Sequence, residues 1–357
     1  MNNIARIQEA LARRGLDAIL LTDEKNQRYA GGFPFTDGIV VVAREKAWLL
    51  TDSRYIEAAE KTAGGYCTVQ MFDRERSLNE LLAAALRECG AEKVAAEDEK
   101  LCRARWAALE KALGRELLPS GDLMGELRAS KSEEEIASMI RAQRISEKAL
   151  EEVLPLIRPG MTEKEVMAEL VYHMLKNGSE GNSFDPIVVT GAKTSMPHGV
   201  PGDVPIREGD FVTMDFGSLA DGYCSDMTRT VAVGYATEEM KNVYSIVLEA
   251  QLAGIAAARS GIPGKLIDKA ARDVIEKAGY GQYFGHGFGH SLGLDIHEAP
   301  NANPRGEAPM AENDLCSAEP GIYLPGRFGV RIEDVMIIRP DGAEVITKAP
   351  KTELIVL

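Results

Sequence analysis

The chain is short of the residues on which several protein classes depend. Its five cysteines in 357 residues are odd in number, scattered, and never spaced as CxxC. That excludes a disulfide scaffold and fits buried thiols in a reducing compartment. Basic residues are outnumbered, 41 Lys and Arg against 55 Asp and Glu, for a formal net charge of −14. The basic footprint that nucleic acid or an anionic membrane surface requires is missing. No stretch approaches the roughly 18 apolar residues of a membrane span. The opening "MNNIARIQEALARRGLDAILLTD" has no apolar signal region, and its Ile4, Ile7 and Leu11 space as an amphipathic helix. These absences predict a cytoplasmic protein with neither a nucleic-acid nor a membrane partner. Histidine is as scarce as cysteine. Of five in all, His286, His290 and His297 crowd into "GHGFGHSLGLDIHEAP", and His198 lies in "TSMPHGVPG".

What is present is ample apolar material, 45% of residues, over a length that suits two domains. In the first part "DAILLTD", "GIVVVA" and "AWLLTD" read as buried strands, while "SLNELLAAALRECG" and "RARWAALEKALG" read as helices stopping at glycines. This predicts an α/β domain with a mixed sheet. Pro119, Ser120 and Gly121 mark a loop, and Ser132 with Glu135 forms a capping-box pattern opening a long helix. The expected domains are residues 1–125 and 126–357. The second contains a repeat: "RPGMTEKEVMAELVYHMLKNG" and "RSGIPGKLIDKAARDVIEKAG" share one glycine spacing, and each precedes Gly-rich, strand-like sequence. Two copies of a helix-then-strands unit suggest a pseudo-symmetric domain with a site between its halves.

"GDFVTMDFGSLADGYCSDMTRTVAVG" reads as a β-hairpin turning at Asp221-Gly222. A two-residue turn there sets Asp226 opposite Gly217, so Asp215 and Asp226 share a strand face one diagonal apart. The other face, Val212, Met214 and Phe216, is apolar. Two buried like charges so close need either a proton or a cation between them. Glu319 in "SAEPGIY" and Glu333 in the apolar "VRIEDVMII", read as one strand, add two more acids. Arg331, two residues from Glu333, is the nearest local partner but cannot neutralise all four. Four carboxylates with His290 as the single nitrogen ligand make a donor set for two divalent cations. The glycines around His290 let backbone approach the site. Manganese or cobalt suits so oxygen-rich a set, and iron(II) or zinc also fits. Cys224 and Cys316, neighbours of the acids, read as small buried residues.

Together "DFGSLADGYCSDMTRT", "FGHGFGHSLGLDIHEAP", "SAEPGIY" and "VRIEDV" resemble the pita-bread metallopeptidases, which include Xaa-Pro aminopeptidases, prolidases and methionine aminopeptidases. The segment "NQRYAGGFPFTDGIVVVAREKAWLLTDSRYIEAA" resembles a creatinase-type N-terminal domain. The resemblance implies an α+β pita-bread catalytic domain with pseudo-two-fold symmetry behind the α/β domain, and a homodimer. It implies Asp215, Asp226, His290, Glu319 and Glu333 as metal ligands, Asp226 and Glu333 bridging. It further implies His198 and His297 as substrate-binding and transition-state-stabilising histidines, His286 as an outer histidine, and Arg331 behind the bridging carboxylates. Substrates would be peptides with a penultimate proline, cleaved by a hydroxide bridging the metals with Glu319 as general base. One departure stands out. Many prolidases have Arg four residues after the position of His297, where this chain has Asn301. An amide lacks the bidentate, charge-assisted grip of a guanidinium on a dipeptide carboxylate, so an aminopeptidase acting on longer peptides is expected.

Overall fold

The computed structural model describes residues 2–357. The chain folds into two compact units, Met1–Leu127 and Arg128–Leu357. In the first, elements alternate: α1 (Ile4–Arg14), β1 (Ala18–Leu21), α2 (Glu24–Gly31), β2 (Gly38–Ala43), β3 (Ala47–Thr51), α3 (Ile56–Ala63), β4 (Thr68–Met71), α4 (Leu78–Glu88), β5 (Val94–Ala96), α5 (Arg103–Leu113) and β6 (Leu118–Pro119). They build one six-stranded sheet ordered β4-β3-β2-β1-β5-β6. The sheet is mixed, as the sequence predicts: β1, β2 and β3 pair antiparallel, while β4, β5 and β6 join in parallel. Every residue of β1, β2 and β3 is buried, which explains why their apolar runs are continuous rather than alternating. Ile4, Ile7 and Leu11 are the buried stripe of α1.

The helix α6 (Leu123–Ala129) leads into the second unit, whose helices are α7 (Glu133–Val153), α8 (Glu163–Lys176), α9 (Glu238–Ala257) and α10 (Gly264–Lys277). Ser132 caps α7 by accepting from the Glu135 N–H, and the Glu135 carboxylate accepts from the Ser132 N–H at 2.8 Å. Thr162 and Glu165 repeat that box on α8. The strands of the first half are β7 (Ile187–Thr190), β8 (Phe211–Phe216), β9 (Leu219–Ala220), β10 (Tyr223–Cys224) and β11 (Met227–Ala232). Those of the second half are β12 (Gly289–Ser291), β13 (Glu298–Ala302), β14 (Leu315–Ala318), β15 (Gly321–Leu324), β16 (Phe328–Arg331), β17 (Asp334–Arg339) and β18 (Gly342–Val345).

Each half has its own core. Val166 and Leu170 of α8 pack with Val212, Met214 and Phe216 of β8, under the sheet β11-β8-β7. Ile267, Ala271 and Ile275 of α10 pack with Phe288, Cys316 and Met336, against the sheet β13-β12-β14-β17-β18. Each fully buried Val, Ile, Leu, Phe or Met contributes about 1.5–3 kcal/mol by leaving water.

Candidate metal centre

The β8–β11 hairpin turns through Asp221 at φ 49° and Gly222 at φ 75°, a type I′ pair whose twist suits the strands. The register is the one that turn dictates, with Ala220 opposite Tyr223 and Asp215 opposite Thr228. Asp215 therefore stands on the face opposite Val212, Met214 and Phe216, and Asp226 follows one diagonal away. Between them Gly217 runs so close to the partner strand that a Cβ would lie 1.9 Å from the Ser225 carbonyl oxygen.

His290 is central in β12, where its neighbour Gly289 leaves room of only 2.0 Å between a would-be Cβ and the Ser317 carbonyl oxygen. Glu319 follows β14, its N–H donating to the Phe288 carbonyl at 2.8 Å and its carboxylate accepting from Ser317 Oγ at 3.0 Å. Glu333 departs from expectation. "VRIEDVMII" is not one strand: Ile332 and Glu333 lie between β16 and β17. The strand is interrupted there, where the Glu333 N–H donates to the Thr228 carbonyl at 3.1 Å and Thr228 Oγ1 donates to its carboxylate at 2.6 Å.

These five side chains line one cavity of about 430 Å³, together with His198, His286 and His297. Asp226, His290 and Glu333 each present a donor atom within 4.8 Å of the others. His290 Nε2 lies 3.6 Å from Asp226 and 3.3 Å from Glu319. Its Nδ1 is 3.2 Å from the Ser291 carbonyl, which only accepts, so Nδ1 carries the proton and Nε2 turns a lone pair on the acids. Burial lowers the pKa of His290 and keeps the imidazole neutral.

The acids are electrostatically frustrated. Burial, then the charges of Asp215 and Glu319, hold Asp226 well above the usual carboxylate range. Burial and then Asp226 do the same to Glu333, and burial raises Glu319 against the opposing pull of His286 and Arg331. Asp215 Oδ1 and Asp226 Oδ1 are buried with no hydrogen-bond partner. Buried oxygens without donors, beside an imidazole lone pair, fit hard divalent cations.

Arg331 acts on Glu333 through charge alone, without the hydrogen bond that their local spacing suggested. Its guanidinium reaches Asp215 Oδ2 at 2.6 Å, Thr228 Oγ1 at 3.0 Å and the Tyr323 hydroxyl at 2.9 Å. Tyr323 in turn meets His286 Nε2 at 2.9 Å, while His286 Nδ1 faces the Gly287 carbonyl at 2.8 Å. Both nitrogens of His286 are thus engaged, and burial lowers its pKa. Sequence reasoning missed Tyr323, Thr228 and the apolar walls Phe184, Ile187 and Ile296. Nothing local marks them, although Tyr323 does follow Glu319 closely. His198 is exposed, on a loop anchored by the buried Glu163, which accepts from Thr190 N at 2.9 Å, Gly202 N at 2.8 Å and Lys193 Nζ at 2.6 Å. Cys224 and Cys316 are buried outside the cavity lining, and burial pushes the Cys316 thiol well up, which suits small core residues rather than ligands.

Among the described residues, no helix is long and apolar enough to cross a membrane. Residues 137–340 match the metallopeptidase family M24, and residues 3–130 match the creatinase/prolidase N-terminal domain. A solved Xaa-Pro dipeptidase from Bacillus anthracis superposes with a TM-score of 0.94 at 42% identity, over 99% of each chain. An X-Pro aminopeptidase from Thermotoga maritima gives 0.93 at 35% identity, covering 98% of this chain and 100% of its own. A Xaa-Pro dipeptidase of Pyrococcus horikoshii is 34% identical over 349 residues, 98% of this chain and 97% of that one. The chain belongs to the M24 metallopeptidases, with a creatinase/prolidase N-terminal domain ahead of a pita-bread catalytic domain.

Proposed function

We propose that the protein is a dinuclear metallo-aminopeptidase that removes the first residue from peptides with proline second. Asp215, Asp226, His290, Glu319 and Glu333 would hold the two ions, Asp226 and Glu333 bridging, with manganese or cobalt suiting the oxygen-rich set. Such ions polarise a carbonyl and lower the pKa of water. Glu319 serves as general base towards the attacking water and returns the proton to the leaving amine. His297, exposed in the cavity beside His290, donates to the oxyanion that develops on the scissile carbonyl. Burial, and then His290, lower the His297 pKa, so it donates as a neutral imidazole N–H. His198, on the opposite loop, contacts the bound peptide.

The observation that favours an aminopeptidase over a dipeptidase is the cavity wall. Asn301 lines it, and among the described residues the one arginine there, Arg331, is committed to Asp215. Arg305 and Arg327 are not part of the wall, so among the described residues no uncommitted guanidinium there meets a free carboxylate. Five cysteines with no disulfide among the described residues support a cytoplasmic setting, and the resemblance supports a homodimer.

The test is a side-by-side assay of Xaa-Pro, Xaa-Pro-Xaa and Met-Ala-Xaa peptides after loading with manganese or cobalt. Preference for Xaa-Pro-Xaa is expected. Preference for the free dipeptide would make the protein a prolidase, and cleavage of Met-Ala-Xaa alone would make it a methionine aminopeptidase.

A further inference from the structure

His297 makes no hydrogen bond through its side chain among the described residues; its ring touches that of His290, 4.3 Å between centroids at 61°. Its place is therefore set by the backbone that carries it. That backbone is the short turn from Ser291 to Glu298, and both ends of the turn are fastened to buried charges. Arg128 donates to Asp295 Oδ2 at 2.6 Å and also to Glu298 Oε1, the residue next to His297. Glu298 folds the turn back on itself by accepting from the Asp295 N–H at 3.1 Å. Lys131 stands 3.5 Å from Glu298 and 2.7 Å from Asp314. Asp314 holds the hydroxyl of Ser291, the residue next to His290. Gly293 lies against the Glu298 carboxylate, where a Cβ would approach to 2.8 Å.

We propose that Arg128, working with Lys131, is a positioning residue for catalysis: its grip on Asp295 and Glu298 sets His297 against His290. Neither cation lines the cavity, so neither touches substrate or metal. Both are nearly devoid of solvent contact, with side-chain exposures of 7% for Arg128 and 1% for Lys131. One guanidinium nitrogen, Nη2, meets both carboxylates, so this buried, permanent charge ties Asp295 to Glu298. Loss of that contact frees the turn, and small misplacements of a transition-state donor are costly in rate. The proposal rests on the role given to His297 above.

The test is a double-mutant cycle in the full-length, metal-loaded enzyme with Arg128→Gln, His297→Ala and the pair, read on an Xaa-Pro-Xaa peptide. Arg128→Gln is expected to lower kcat about 10- to 100-fold with KM little changed, and to retain the wild-type metal content. In the His297→Ala background it should cost nothing further. In a crystal structure of Arg128→Gln the His290–His297 ring separation should depart from 4.3 Å. Losses that multiply, a fall in bound metal, or an unchanged kcat would overturn the proposal. If Arg128→Gln does not fold, Glu298→Gln replaces it in the same cycle under the same criteria. Should His297→Ala alone keep full turnover, the oxyanion role of His297 falls, and the rate effect assigned to Arg128 falls with it. Multiplying losses beside an impaired His297→Ala sink the Arg128 proposal alone.

Discussion

The Arg331 guanidinium sits 2.6 Å from Asp215 Oδ2 and leaves the other oxygen, Oδ1, buried with no hydrogen-bond partner. One carboxylate thus has one oxygen committed to the protein and one left without a hydrogen bond, on a residue that lines the cavity. A ligand fixed in this way loses little freedom when it binds an ion. Arg331→Met removes the fixed half and leaves an uncompensated buried charge. In metal-free protein this should cost about 3–5 kcal/mol, seen as a calorimetric transition moved to lower temperature. An unchanged transition would mean the pair contributes no net stability.

Glu333 is held for a cation by Thr228, whose hydroxyl donates to it at 2.6 Å. Glu333→Ala should lose bound metal and nearly all turnover while the fold persists, because the lost side chain was destabilised by its own burial. Elemental analysis beside circular dichroism checks this. Full metal with full turnover would remove Glu333 from the ligand set.

Asn301 on the cavity wall, paired in register with His290, is the place where substrate length should be readable. Asn301→Arg should raise kcat/KM for Xaa-Pro relative to Xaa-Pro-Xaa by about tenfold, the worth of one charge-assisted pair at a partly exposed site. A ratio unmoved by the substitution would mean the peptide carboxylate end lies elsewhere.

Acidity should act on the metal-free protein in an unusual direction. Asp226, Glu319 and Glu333 all have pKa values raised by burial in the folded state. A group whose folded pKa exceeds its unfolded value gives stability that is complete below the unfolded pKa and lost as pH rises through the folded one. Compared with Glu333→Ala, the metal-free protein should therefore gain melting temperature from about pH 8 to about pH 5.5, on top of the opposite trend set by His286, His290 and His297, whose folded pKa values burial lowers. Bound divalent ions should narrow or reverse the difference, since they require the ionised forms. A metal-free pH dependence of melting that Glu333→Ala leaves unchanged would show that this carboxyl is not protonated in the folded state.

Much of the centre was legible because the chain breaks its own rules there. Asp215 and Asp226 interrupt a hairpin whose other face is core, and the Asp221-Gly222 turn fixes their register through local chemistry alone. Histidines among glycines are equally conspicuous, and Gly289 is needed where the Ser317 carbonyl passes. What stayed hidden has no local cause. "VRIEDVMII" carries a continuous strand pattern, but Glu333 takes its backbone partner from Thr228 on another strand, and the interruption goes with that distant bond. Arg331 looked paired with its neighbour because spacing shows only neighbours; its partner Asp215 lies 116 positions away. Arg128 and Lys131, far upstream of the turn they hold, leave no periodic trace either.

The most direct measurement of the whole account is peptidase activity on an Xaa-Pro-Xaa peptide against ions bound per chain, after chelation and stepwise return of manganese. The account predicts that activity vanishes with the chelator and returns in full only as two ions per chain are bound. Hydrolysis that survives complete metal removal would contradict it.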